Sequence, residues 1–268
     1  MREKFEYWLA KSLIGLSKVL PKKALYALFI GLADILYLVD KNRRQLTQDN
    51  LLKAGYSKNL ARKSYHEIAK TLAEILLLYT GRFDFSTIEG EFTPKIDKPK
   101  IFITAHFGNW EALAHYLARN GYPMVVVGRE GNNKLIEKNI TTHFRTKYGN
   151  RLVYKIGAMR KLIVALKNRE NIGLLIDQKA GRDGIETTFF NRVCKTVPTV
   201  AMLAKKFDVE IVPIFLVRTS KGFKIIQKDF ACKECDTKEF TQKLNDIFEE
   251  VVRMYPEQWF WMHNRWRV

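Results

Sequence analysis

His106 and Glu111 are the two residues whose types and spacing suit joint chemistry. An imidazole takes a proton from a hydroxyl near neutral pH, and a carboxylate beside it fixes its tautomer and stabilises the charged ring. The pair lies in the run IFITAHFGNWE, residues 101–111. On one regular helix, residues five apart differ by about 140° in direction. The pair therefore meets only if His106 precedes a helix and Glu111 lies in its first turn. Gly108 permits a tight turn, and Asn109 can cap a helix that starts at Trp110. Ile101, Phe102 and Ile103 read as a buried strand in front of that turn. Glu111 would then sit near the positive end of the helix dipole, and backbone N–H groups near Gly108 could face an oxyanion. An ordinary His in a polar turn beside a first-turn Glu has the same letters, and short motifs carry a high false-positive rate.

Other candidates stand at comparable places. Arg129 follows the apolar run 124–127, and strand ends of this kind gather ligand contacts. Its planar guanidinium suits a phosphate or carboxylate, with an ion pair to Glu130 as the structural alternative. Asp177 and Gln178 end the apolar run 172–176 in the same way, and Asp177 is read as a carboxylate holding the Arg129 loop. Arg145 and Arg182 are further phosphate candidates. Asn109 is either a helix cap or a contact to substrate. His115, four residues beyond Glu111, is expected at the surface or in packing, and His66 is remote from these blocks. His263 belongs to an aromatic, basic tail with Trp259, Trp261, Arg265 and Trp266, read as an interfacial belt, a wall of the substrate groove or plain core.

The block HFGNWE resembles the signature of the lysophospholipid acyltransferase superfamily, and more narrowly of the bacterial lipid A late acyltransferases of lauroyl or myristoyl type. Further pieces match in order. They are Gly128-Arg129-Glu130, then Asn132 or Asn133 with Leu135, Arg145 and Gly149, and Asp177-Gln178. Phe189-Phe190, Thr196, Pro198, Ala201, Leu203-Ala204, Val212-Pro213 and Arg218 follow, and the run PEQWFWMHNRW closes at Trp266. The likeness runs from about Arg43 to the C-terminus. Asn264 departs from it, because the family usually has a second basic residue there. The N-terminus departs too, because the family often carries a spanning anchor. The resemblance implies a glycerolphosphate acyltransferase-like α/β fold. It implies transfer of a fatty acyl group from the acidic acyl carrier protein to a hydroxyl of a phosphorylated glycolipid, a lipid A precursor, at the cytoplasmic face of a bacterial inner membrane. In that reading His106 is the general base, Glu111 orients it, and Asn109, Arg129, Asp177, Gln178, Arg182 and Arg145 contact substrate. No cofactor, nucleotide or metal is needed, since a thioester is already activated.

Charge agrees with an anionic partner. Lys and Arg total 46 against 28 Asp and Glu, a formal net charge of +18. Nucleic acid, an anionic membrane and an acidic protein all qualify on charge, but no nucleic-acid motif is present, nor any G-x-G-x-x-G or Walker loop. Another glycolipid or a lysophospholipid as acceptor, or a non-catalytic basic membrane-surface or nucleic-acid-binding module, are the competing readings. Hydrophobic residues make up 47%, which excludes disorder. Cys194, Cys232 and Cys235 supply too few ligands for a structural zinc site and are expected as free reduced thiols.

The positioning elements follow from periodicity. Strands are expected at 101–104, 124–127, 152–154, 172–176, 210–216 and 223–226, and helices at 110–120, 133–148, 159–168, 197–207 and 237–255. That alternation predicts an α/β layered fold with a largely parallel sheet flanked by helices. Ahead of it, Phe5, Trp8, Leu9, Leu13, Leu16 and Leu20 recur at helical spacing beside the row Lys4, Lys11 and Lys18, which suits a helix lying in a membrane interface. Residues 24–39 form a second helix, too short and too charged at Asp34 to span, since a span needs about 20 apolar residues. No cleavable signal peptide is evident. Residues 60–79 read as an amphipathic helix with Ile68, Leu72, Ile75, Leu76 and Tyr79 on its stripe. Residues 1–80 are thus expected as a helical membrane-docking region and 81–268 as the catalytic α/β domain, together one unit.

Overall fold

Short β-branched and aliphatic runs, separated by helices, assemble into a seven-stranded sheet in the computed structural model, which describes residues 1–94 and 96–267. Four helices come first: α1 Arg2–Val19, α2 Lys22–Val39, α3 Lys41–Lys53 and α4 Leu60–Tyr79. Then follow β1 Ile88–Glu89, β2 Lys100–Thr104, α5 Trp110–Arg119 and β3 Met124–Gly128. Two short turns, α6 Lys134–Ile136 and α7 Thr142–Arg145, flank a π-wound segment Glu137–Thr141. After them come β4 Arg151–Tyr154, α8 Ala158–Lys167, β5 Asn171–Leu175, β6 Ile185–Phe189, β7 Arg192–Thr196, α9 Thr199–Lys206, β8 Glu210–Arg218, β9 Phe223–Gln227 and α10 Thr237–Met254.

The strand order is β1-β9-β8-β2-β5-β3-β4. Pairs from β8 through β4 are parallel, whereas β9 runs antiparallel to β8. Alternate residues of each strand enter different cores. Ile101, Ile103, Phe215 and Val217 pack with α8, α9 and α10, while Phe102, Ile214 and Leu216 pack with α2, α4 and α5. Both faces are covered, which is why the strands read as continuous apolar runs. The expected α/β fold with a mostly parallel sheet is present.

Several elements differ from expectation. Helix α3 has almost no apolar periodicity. It is fixed by its cap, where Asp40 accepts from the Arg43 amide, and by buried Thr47 and Asn50. The buried side of α4 is Ala61, Tyr65, Ala69, Ala73, Leu77 and Leu78, not the stripe through Leu72, which is 49% exposed. The expected helix 133–148 is broken by the π-wound segment, where Glu137 turns inward to accept from the Gly131 amide and the Tyr154 hydroxyl. Residues 185–196 form a hairpin whose two loop residues, Phe190 and Asn191, both have positive φ. Cys232 and Cys235 are not free thiols: their Cα atoms are 5.5 Å apart and the side chains form a disulfide, while Cys194 is free and buried.

Helices α1 and α2 leave large apolar side chains in solvent, among them Phe5, Trp8 and Leu9 on the first and Ile35, Leu36, Leu38 and Val39 on the second. Among the described residues no helix is long and apolar enough to cross a membrane. The two are not a separate region, because α2 packs along α4 and Leu25 enters the sheet core.

His115 lies inside α5's packing, against Phe144 at 4.6 Å and Tyr148 at 5.3 Å between ring centroids, and burial pushes its pKa down to about 4. The unfolded chain takes up this proton near 6.5, so the ring's contribution to stability is complete above that pH and is lost as pH falls toward 4. His115→Phe should remove this loss, which in the wild type is about 1–2 kcal/mol between pH 7 and pH 5, as read in urea titrations. Thiol titration of the denatured chain should find one reactive cysteine without reductant and three with it.

Candidate active site

His106 and Asp177 meet at the carboxyl ends of β2 and β5. The two strands are neighbours in register, with Thr104 opposite Leu175, so each residue lies two positions beyond a paired one. From β2 the chain crosses to β3 on one side, and from β5 it reaches β8 on the other. Such a switch point leaves a crevice at the strand ends. The crossovers pack α5 on one face of the sheet and α9 on the other.

The carboxylate is fully committed. His106 Nδ1 lies 2.9 Å from Asp177 Oδ1, and the His106 amide donates to Oδ2 at 3.0 Å. Trp259 Nε1 donates to the same Oδ2 at 2.9 Å. The Asp177 side chain is 1% exposed and the His106 ring 26%. Burial alone pushes the Asp177 pKa up, but the charge of His106 and these hydrogen bonds outweigh it, and the net shift is down. An ionised Asp177 makes Nδ1 the donor, which leaves Nε2 as the basic atom of the ring.

Glu111 is placed as expected in the first turn of α5, two residues past the Asn109 cap, and His106 precedes the helix. Its contact is different from the one expected. Its Oε1 accepts from Arg145 Nη2 at 2.7 Å, so the carboxylate that grips the His106 ring comes from β5, not from the first turn of α5. Asp177 in turn holds His106 rather than the Arg129 loop. Arg145 is held against the end of β3, where a Cβ on Gly128 would stand 2.9 Å from its Nη1. Burial works against its charge, but Glu111 wins and raises its pKa. Arg129 is exposed one residue past the end of β3, Arg182 is exposed in the loop that leads into β6, and Glu130 pairs with Lys134 instead of Arg129. Gln178 offers its backbone carbonyl to Arg265.

The turn that carries His106 is held by a buried polar cluster that sequence reasoning missed. Gly108 has φ +57°, and any Cβ there would collide with the Leu216 carbonyl. The amides of Phe107, Gly108 and Asn109 donate to the carbonyls of Ala105, Gln258 and Leu216, so the fold uses the groups once expected to face an oxyanion. Asn109 Oδ1 caps α5 through the Ala112 amide, and its Nδ2 donates to Glu74 on α4 at 2.7 Å. Arg218 at the end of β8 binds Glu74 twice, at 2.7 and 2.6 Å, then Glu67 at 2.6 Å and Thr71 at 2.8 Å. Thr71 also donates to the Gly108 carbonyl. Arg218 was visible only as a matching letter; the one hint of Glu74 was a carboxylate among small residues of a helix.

The tail 255–267 closes the site from above. Phe107 bridges Trp259, and the Phe260 amide donates to the His106 carbonyl. Asn50 and Arg43 of α3 hold the carbonyls of Trp261, His263 and Met262. Arg265, fully buried, donates to Gln178, Lys195, Thr196 and Asn245. The tail is thus structural core, and burial pushes His263 within it down to about 4.

A family model described as bacterial lipid A biosynthesis acyltransferase matches residues 1–268. The chain belongs to that family. Among similar curated proteins is lipid A biosynthesis acyltransferase 2 of Shigella flexneri, 26% identical over 168 residues, which are 60% of this chain and 53% of that protein. Lipid A biosynthesis palmitoleoyltransferase of Escherichia coli is 25% identical over 54% of this chain and 49% of its own length. Phosphatidylinositol mannoside acyltransferase of Mycolicibacterium smegmatis is 21% identical, with 62% and 56% covered. The alignments span about half the length of these relatives.

For this family member the contacts order the two carboxylates. Asp177→Asn leaves Nδ1 without its anionic partner and should lower turnover by about 10²–10⁴-fold. Glu111→Gln breaks only the Arg145 pair and should act mainly on acceptor KM. Steady-state kinetics of the two variants at saturating donor separate these effects.

Proposed function

We propose that this chain is an O-acyltransferase that moves a fatty acyl group from an acyl carrier protein thioester to a hydroxyl of a lipid A precursor. The observation that carries this reading is the His106–Asp177 pair at adjacent strand ends, in a chain that matches the acyltransferase family along its length. His106 Nε2 removes the proton of the acceptor hydroxyl as its oxygen attacks the thioester carbonyl. The tetrahedral adduct collapses, the C–S bond breaks, and the imidazolium returns the proton to the departing thiolate. Asp177 stays ionised throughout, fixes the tautomer and stabilises the imidazolium. Because Nδ1 is committed to Asp177, the ring presents one basic atom only, which suits a single proton shuttled in and out.

Arg129, exposed past the end of β3, and Arg182, exposed in the loop before β6, are assigned to phosphates of the acceptor, and Arg145 with Glu111 to the wall beside the hydroxyl. Asn109 acts by holding the turn rather than by touching substrate. The exposed apolar faces of α1 and α2, with Lys4, Lys11 and Lys18 alongside, are assigned to the anionic surface of the membrane that holds the acceptor. The cytoplasmic face of a bacterial inner membrane is where such a donor and acceptor coexist. A relative named for a phosphatidylinositol mannoside favours a second reading with a different glycolipid acceptor and the same chemistry.

The test is acyl transfer in detergent from a panel of acyl carrier protein thioesters to an under-acylated lipid A precursor and to a mannosylated phosphoinositide. Product with the first acceptor, lost in His106→Ala and Asp177→Asn, is the expected result. Product only with the second acceptor replaces the substrate. Full activity of folded His106→Ala sinks the mechanism.

A further inference from the structure

The turn between β4 and α8 places an aliphatic side chain where the fold makes no use of it. Ile156 is 94% exposed. Its turn is tied by backbone bonds: the Lys155 amide donates to the Gly128 carbonyl at 2.9 Å, the Ala158 amide donates to the Lys155 carbonyl, and Gly157 takes φ +72° to start the helix. Because β2, β5, β3 and β4 are consecutive parallel neighbours, this turn lies at the same end of the sheet as His106 and Asp177. Three strand spacings separate the β2 and β4 exits, about 14 Å.

The loop between those exits is tied to α1. Asn133 donates to the Glu3 carbonyl at 2.8 Å and to Glu6 Oε2 at 3.0 Å, while its own oxygen caps Leu135 and Ile136. The half of α1 so fixed holds Phe5, Trp8 and Leu9 in solvent at 71%, 63% and 52% exposure. Exposed cations flank both apolar points: Lys4 and Lys11 on α1, Arg129 and Lys134 on the loop, and Lys155 and Arg160 at the turn.

We infer that the Lys155–Ile156–Gly157 turn is a second membrane anchor, which together with α1 turns the His106 end of the sheet toward an anionic bilayer. The inference rests on the membrane assignment made above for α1 and adds a contact from the α/β unit itself. Separated apolar points ringed by cations suit a fluid apolar layer beneath anionic headgroups, which needs no complementary pocket. A protein partner would need one contiguous matching surface. With both anchors seated, the acyl chains of the acceptor stay in lipid while its headgroup reaches the strand ends.

The experiment is co-sedimentation of the full chain with vesicles of phosphatidylglycerol and phosphatidylcholine, alongside acyl transfer to detergent-dispersed acceptor. Ile156→Glu should weaken vesicle partitioning roughly tenfold, the loss of about one buried aliphatic side chain. Ile156→Leu should keep it, and both variants should keep wild-type turnover in detergent. Wild-type partitioning of Ile156→Glu overturns the second anchor alone. A raised KM for the acyl carrier protein donor with unchanged partitioning overturns it in favour of a protein contact. Wild type that transfers acyl groups yet ignores vesicles overturns the membrane assignment and this inference together, while leaving the chemistry standing.

Discussion

The buried carboxylate of Asp177 is the interaction on which the rest of the molecule depends. A carboxylate removed from water is costly unless its lone pairs are filled. Three donors from two distant parts of the chain fill them: the ring and amide of His106 and the indole of Trp259. That requirement fixes β2 beside β5 and brings the tail over both. It also sets the chemistry, because the same bonds that satisfy Asp177 hold the imidazole in one tautomer.

A second buried charge cluster supports the first from the other face of the sheet. Glu74, Glu67 and Thr71 on α4 surround the guanidinium of Arg218, and Asn109 hangs the His106 turn from Glu74. Buried ion pairs add little net stability over apolar packing, yet removing one partner is costly. Their value here is register. Through Glu74, the placement of α4 is written into the position of a turn on the far side of β8. Residues 60–79 are therefore part of the active-site scaffold, not an appendage to it.

The parts of this design that are local in sequence were legible. The strand 101–104, the cap at Asn109 and the helix behind it follow from alternation and turn chemistry, and so does the parallel sheet. What was not legible depends on pairing across the fold. Asp177 is 71 residues from His106, and only strand order makes it a nearer partner than Glu111. Helix α3 carries no apolar stripe because polar Thr47 and Asn50 share its inward side with Leu51, and Asn50 reaches the tail carbonyls. The hairpin 185–196 turns on Phe190-Asn191, where the usual signal is Asn-Gly. The buried face of α4 alternates small residues, Ala61, Ala69 and Ala73, with Tyr65, Leu77 and Leu78, so the stripe through Leu72 did not mark it. The disulfide was set aside on compartment grounds that geometry does not share.

The closure of the site by Trp259 has a consequence in time. Asp177 is made 82 residues before the indole that completes its shell. At about 5–20 residues per second, translation makes the indole roughly 4–16 s after the carboxylate. A chain not yet extended to Trp259 thus lacks one of the three donors that Asp177 holds in the folded protein.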